Sequence, residues 1–159
     1  MKTGLIVGKF APLHQGHQYL IETALAEVER LVVLVYDCPE VIEVPLKVRV
    51  DWIRELYPEV EVVEGYGAPT EHGDSPEITR RNIEFVKSSL LCPITHVFSS
   101  EWYGEILARE LGAENFLVDK ERVRVSVSGS EIRQNPEKYK NFLNPVVLRD
   151  FLKKNNDSR

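Results

Sequence analysis

The stretch Gly8-Lys9-Phe10-Ala11-Pro12-Leu13-His14-Gln15-Gly16-His17 sets a lysine, two histidines and two glycines between the apolar run "LIV" and the helical pattern "QYLIETALAEV". Each of these residue types helps to hold an anion. Gly8 and Gly16 let a ligand approach the backbone, a helix beginning near His17 offers unpaired N–H groups and a positive dipole end, and Lys9 adds a full charge. Phosphate is the anion that such a turn suits. Two imidazoles beside these donors further suit a phosphoryl group that gains charge during displacement, because positioning and electrostatic stabilisation do most of the catalysis of its transfer.

Other phosphate-binding patterns do not match. "GLIVGKF" places only three strand-like residues between Gly4 and Gly8, and Phe10 stands where a Walker loop carries its metal-binding hydroxyl. The dinucleotide fingerprint Gly-x-Gly-x-x-Gly is also absent here. His14 and His17 are three residues apart and can present both rings to one side, but zinc needs three or four ligands and no carboxylate or cysteine lies at a helpful spacing. No metal ligand is therefore assigned. Alone, such a histidine pair is more often a structural or surface feature than a catalytic one; its company directs it to phosphate.

A second anion-binding device lies near the other end of the chain, in "VSVSGSEIRQNP". Ser128, Gly129 and Ser130 precede a short helical pattern that carries Arg133 one turn in and stops at Asn135-Pro136. An ordinary capped helix with a solvated arginine gives the same pattern. Just upstream, Lys120, Arg122 and Arg124 alternate along "DKERVRVSV", which puts them on one face of an extended segment.

The elements that must position these clusters alternate regularly. Strand-like runs at Leu5 to Val7, Leu31 to Tyr36, Val60 to Val63, His96 to Phe98 and Asn115 to Val118 are separated by helical patterns at His17 to Val28, Leu46 to Leu56, Glu77 to Leu90 and Tyr103 to Leu111. This predicts an α/β fold with a Rossmann-like, doubly wound parallel sheet and helices on both faces. Runs such as "LVVLVY" suit strands buried on both sides. In such sheets ligands bind beyond the carboxyl ends of the strands, where the opening stretch sits. Gly65 to Pro76, "GYGAPTEHGDSP", reads as an irregular loop, either a surface excursion or a mobile flap over the acceptor. From Pro145 a packing helix is expected through Val147, Leu148, Phe151 and Leu152, fraying over residues 153–159.

The 159 residues suit one domain spanning residues 1–159, and 43% hydrophobic with 28% charged residues is a globular composition. No apolar run is long enough to span a membrane, and "MKTGLIVGKF" turns polar too soon for a signal peptide, so a cytoplasmic protein is expected. Cys38 and Cys92 lie in no paired metal spacing and are expected to be reduced bystanders. A net charge of -5 argues against a general nucleic-acid surface. Self-association is left open by the sequence.

Together, "GKFAPLHQGH" and "VSGSEIRQNP" resemble the two signatures of the nucleotidylyltransferase superfamily with the His-x-Gly-His motif. Within it the chain is most similar to nicotinamide mononucleotide adenylyltransferases, in particular the adenylyltransferase domain of NadR-type proteins. Weaker similarity in "FSSEWYGEILARELGAENFLVDKERV" extends the match from about Gly4 to Phe151. The resemblance implies transfer of AMP from ATP to nicotinamide mononucleotide, giving NAD and pyrophosphate. It implies catalytic roles for Lys9, His14, His17 and Arg133, within an ATP site formed by Gly8, Lys9, Phe10, His14, Gly16, His17, Ser128, Gly129, Ser130 and Arg133. Arg49 aligns with a phosphate-binding arginine of the family, and magnesium is expected to come with ATP, no carboxylate cluster being evident for it.

Two departures bear on the substrate. The bifunctional relatives carry a P-loop kinase domain, whereas no Walker sequence occurs here and no kinase activity is expected. The family also carries a tryptophan near its acceptor site where this chain reads "TEHGDSPEITRRN", so Trp102 or Tyr103 is expected to supply the aromatic face for a pyridine ring. The alternatives are another acceptor, such as nicotinate mononucleotide or phosphopantetheine, and a nucleotide-sensing module without turnover. The presence of His14, Gly16, His17 and Arg133 together favours catalysis.

Overall fold

The computed structural model describes residues 1–39, 42–70, 75–118 and 128–157, with side chains in the last helix up to Phe151. Lys120, Arg122 and Arg124 lie outside the described residues.

Five strands, β1 (Thr3–Gly8), β2 (Arg30–Tyr36), β3 (Glu61–Gly65), β4 (His96–Ser99) and β5 (Glu114–Leu117), form one sheet in the order β3-β2-β1-β4-β5. Every pairing is parallel. The connecting helices are α1 (Gln15–Glu27), α2 (Leu46–Leu56), α3 (Pro76–Ser89) and α4 (Tyr103–Leu111), followed by α5 (Gly129–Gln134), a 3-10 turn at Lys140–Phe142 and α6 (Pro145–Asp157). The chain steps outward from β1 to β3 and then returns to the other side of β1. Right-handed crossovers therefore set α1 and α2 against one face and α3 and α4 against the other. The order reverses between β1 and β4, and the carboxyl ends of these strands open the crevice that such a reversal creates.

The strands at the centre are what the sequence pattern demands. Leu31 to Tyr36 are all buried, as befits a strand covered on both faces. β5 departs from that pattern: it is an edge strand, and Glu114, Asn115, Phe116 and Leu117 are all exposed. Helix α2 buries Leu46, Arg49, Val50, Trp52 and Ile53, a stripe at three- and four-residue spacing. Helix α3 starts sharply because Ser75 caps it by accepting from the Ile78 N–H, Pro76 suits its first turn, and Glu77 complements the dipole. Helix α4 stops where Gly112 adopts φ +67° and donates to Ala108 and Arg109 carbonyls.

Helix α6 docks through buried Val147 and Phe151, and Trp52 Nε1 donates to Asp150 Oδ2 at 2.9 Å. Its backbone is helical through Asp157, "KKNND" containing no glycine or proline, and residues 158 and 159 lie outside the described residues. Among the described residues no helix is long and apolar enough to cross a membrane.

Gly104 shows how tightly α4 approaches β4. A Cβ there would lie 1.9 Å from Ser99 Oγ and 2.8 Å from Ser99 Cβ, so Gly104→Ala must push the helix away. The expected cost is about 1–3 kcal/mol, read as a lower urea midpoint with an unchanged m-value. A midpoint equal to wild type would mean that the Ser99 rotamer absorbs the methyl group.

Candidate active site

A cleft of about 790 Å³ lies over the carboxyl ends of β1, β2 and β4. Gly8, Lys9, Phe10, His14, Gly16, His17, Ser128, Gly129, Ser130 and Arg133 all line it, so residues from both sequence clusters meet in one place. Its size suits a nucleotide-sized ligand.

The β1–α1 loop fixes the histidines through the helix start. Helix α1 begins at Gln15, two residues earlier than the sequence suggests, which makes His14 its N-cap. His14 Nδ1 accepts from the N–H groups of Gly16 (3.0 Å) and His17 (3.4 Å), while His17 Nδ1 accepts from the His14 N–H (3.2 Å). This is a capping box built from two imidazoles. Because both Nδ1 atoms accept, the neutral rings carry their protons on Nε2. The rings stack at 3.7 Å, and the Phe10 ring lies 4.6 Å from His17. Phe10 holds φ +51° while 1% exposed, a strained conformation for a side-chain-bearing residue.

Three cations surround the loop. Burial pulls the Lys9 ammonium below its ordinary pKa; Arg133 and Arg49 act the same way, while Cys38 and Glu101 oppose them. Arg133 donates to the Ala11 carbonyl (2.7 Å) and to Ser130 Oγ (3.3 Å), and burial lowers its pKa too. This ties α5 to the β1–α1 loop. Ser128 caps α5 by accepting from the Glu131 N–H, and the Glu131 carboxylate accepts from the Ser128 N–H in return. At Gly129 a Cβ would meet Arg133 Nη1 at 3.3 Å and the Ala11 carbonyl at 3.5 Å, so a small residue suits this crossing.

Arg49 is placed differently from the expectation that it meets a phosphate. It is 1% exposed and does not line the cleft. Its Nε donates to the Val44 carbonyl, Nη1 to those of Lys9 and Tyr36, and Nη2 to that of Asp37, at 2.6–3.0 Å. Lys9 and Asp37 immediately precede Phe10 and Cys38, the two non-glycine residues with positive φ among the described residues. A single buried guanidinium thus holds the two strained loops that follow β1 and β2. Burial is the main cause of its lowered pKa.

Of the aromatic residues suggested for an acceptor, both line the cleft. Trp102 is 48% exposed, and Tyr103 opens α4 with its hydroxyl buried. The sequence reading missed Tyr36, Pro69, Thr79, Asn82, Ser99, Ser100 and Glu101, which also line it. Tyr36 had a signal, since it ends a central parallel strand. Asp37 was missed as well. Its carboxylate accepts from the N–H groups of Cys38, Gly67 and Ala68, and despite the opposing effect of burial these bonds lower its pKa. The segment read as a surface excursion or a flap is therefore anchored at its start: Gly65 belongs to β3, and Gly67 and Ala68 are tied to Asp37, while residues 71–74 lie outside the described residues.

Comparison with known proteins agrees with this fold. The family model described as cytidylyltransferase-like matches residues 5–135. The Trifunctional NAD biosynthesis/regulator protein NadR of Salmonella typhimurium (strain LT2) is 28% identical over 165 residues, and its Escherichia coli K12 counterpart is 27% identical. Each match covers 93% of this chain and 40% of the relative, so the chain spans about two fifths of their length. A crystal structure of a NadR protein in complex with NR superposes with a TM-score of 0.61 at 23% identity, covering 91% of this chain and 44% of that one. A bifunctional NMN adenylyltransferase/ADP ribose pyrophosphatase from Francisella tularensis gives 0.60 at 14% identity, covering 94% and 45%. These two likenesses establish the fold. With the family model spanning most of the sequence, from the first strand to the end of α5, the chain belongs to the cytidylyltransferase-like family and carries a nucleotidyltransferase domain.

Proposed function

We propose that the protein transfers AMP from ATP to nicotinamide mononucleotide, giving NAD and pyrophosphate. The observation that carries this reading is the convergence of His14, His17 and Lys9 with Ser128, Ser130 and Arg133 on one cleft, joined by the Arg133 to Ala11 bond. An oxygen of the mononucleotide phosphate attacks the α-phosphorus of ATP, and the bond to the bridging oxygen of pyrophosphate breaks. Both reacting oxygens are phosphate oxygens, so the protein needs no general base. Its task is to gather charge around the phosphorus in transit. His14 and His17 offer Nε2 protons, while Lys9 and Arg133 balance the phosphate charge.

Magnesium belongs to the same proposal. The described residues contain no group of three or more His, Cys, Asp or Glu able to hold a metal ion, and the carboxylate among the described cleft residues is Glu101. The ion is accordingly assigned to the triphosphate, where it would supply charge neutralisation. The relatives named for NAD biosynthesis and for NMN adenylyltransferase activity support the choice of acceptor.

The test is pyrophosphate release, with mass analysis of the product, from ATP and magnesium against nicotinamide mononucleotide, nicotinate mononucleotide and phosphopantetheine. NAD formation from the first is expected. Turnover only with another acceptor would overturn the substrate, and ATP binding without turnover would identify a sensing module.

A further inference from the structure

Among the described buried side-chain polar atoms, two have no hydrogen-bond partner apart from each other: the hydroxyls of Tyr36 and Tyr103. Buried polar groups are nearly always satisfied, and an orphan in a cavity wall is a group prepared for something absent. These two come from separate elements, the last residue of β2 and the first of α4, and both residues line the cleft. Each leans on the other in a loose hydrogen bond, which leaves one proton of the pair to donate and further lone pairs to accept. Convergence of two such groups from distant parts of the chain is not required by packing, since phenylalanine would fill the same space without the desolvation cost.

Their surroundings define the chemistry they can meet. Tyr36 packs edge-on against Phe85 of α3 with ring centroids 5.1 Å apart, which directs it towards the face covered by α3 and α4. Thr79 and Asn82 of α3 line the same cleft. The cationic groups belong instead to the β1–α1 loop and α5. Burial is the main cause holding both phenols well above their ordinary pKa, Tyr103 being pushed up to about 12, so each stays a neutral hydroxyl. Among the described residues, the ionisable groups acting on them are each other and Cys38.

Resting on the function proposed above, we infer that the Tyr36 and Tyr103 hydroxyls form the element that selects the acceptor's ring substituent: one donates to the oxygen of an uncharged carboxamide and the other accepts from its nitrogen. A hydroxyl can play either part, so the pair matches a group that is donor and acceptor at once. A carboxylate in the same place would set a charge against two neutral, buried hydroxyls, one of which can only meet it with a lone pair. The carboxamide is therefore preferred over the carboxylate, which a fully apolar pocket could not achieve so sharply.

The experiment compares kcat/KM for nicotinamide and nicotinate mononucleotides in the wild-type protein, Tyr36→Phe, Tyr103→Phe and the double variant. The wild type is expected to favour the amide by about a hundredfold or more, as sites built around buried polar groups do. Each Phe variant should lose about tenfold or more with the amide and little with the acid, mostly through KM, collapsing the ratio while KM for ATP stays unchanged. The melting temperature of the double variant should be equal or higher, since both buried hydroxyls have been removed together. Binding of NAD against its deamidated analogue by calorimetry reads the same ratio without turnover. A wild-type ratio preserved in all three variants, or a wild type indifferent to the substituent, overturns this assignment and leaves the proposed function standing. A wild type that turns over neither nucleotide overturns both.

Discussion

Turnover of His17→Ala is expected to fall by about a hundredfold to a thousandfold with the fold intact. The ring occupies a position determined from three sides: its Nδ1 accepts from the His14 N–H, its face stacks on His14 at 3.7 Å, and Phe10 lies 4.6 Å away. With Nδ1 accepting, the neutral ring carries its proton on Nε2, the atom assigned to the charge that develops on the transferring phosphoryl group. A donor used mainly in the transition state affects kcat and kcat/KM together, leaving KM for ATP nearly unchanged. The structural cost is confined to one half of the capping box. His14 still accepts from the backbone N–H groups of residues 16 and 17, so a loss of about 1 kcal/mol is expected in denaturant unfolding. Near-normal turnover in this variant would leave the imidazole pair a helix cap and nothing more.

Arg49→Met is expected to lower the free energy of unfolding by about 3–5 kcal/mol, as when one member of a buried charged network is removed. Four carbonyls, of Lys9, Tyr36, Asp37 and Val44, lose their donor at once, and methionine fills the volume without offering another. For a chain of this size that corresponds to a melting temperature lower by about 10 °C. Arg49→Lys should recover only part of it, because an ammonium cannot reproduce the planar fork that reaches carbonyls on two loops. Kinetics of the fraction still folded at low temperature should show a lower kcat, since the conformation of Lys9 and Phe10 relaxes. An unchanged melting temperature with a raised KM for the mononucleotide would return Arg49 to direct phosphate contact.

These two residues mark the boundary of what the sequence makes legible. The His14 and His17 arrangement is local, written in a spacing of three and a helix start, and the five strands follow from runs of apolar residues and the turns between them. Ser128, Ser130 and Arg133 are legible for the same reason, as a cap and its first turn. Arg49 is different. An arginine on an amphipathic helix reads as surface or ligand-binding, and its actual partners are carbonyls of two loops that turn inward at Phe10 and Cys38. Neither residue is glycine, so no letter announces the left-handed turns. Tyr36 carried a weaker signal as the last residue of a buried strand, but its neighbours are core, and the strand order is what places it over the cleft. Likewise, the exposure of β5 follows from its place at the sheet edge, which its own residues do not record.

The bond from Arg133 to the Ala11 carbonyl spans 122 positions of sequence, and this separation has a consequence for how activity arises during synthesis. A ribosome completes β5 at Leu117 before it reaches Ser128, so every strand of the sheet can pair while half of the phosphate-gathering groups are still untranslated. The nascent chain can then fold from its amino end, as domains commonly do, and still be unable to turn ATP over. Competence arrives with the emergence of α5, when the loop made first receives its partner made late.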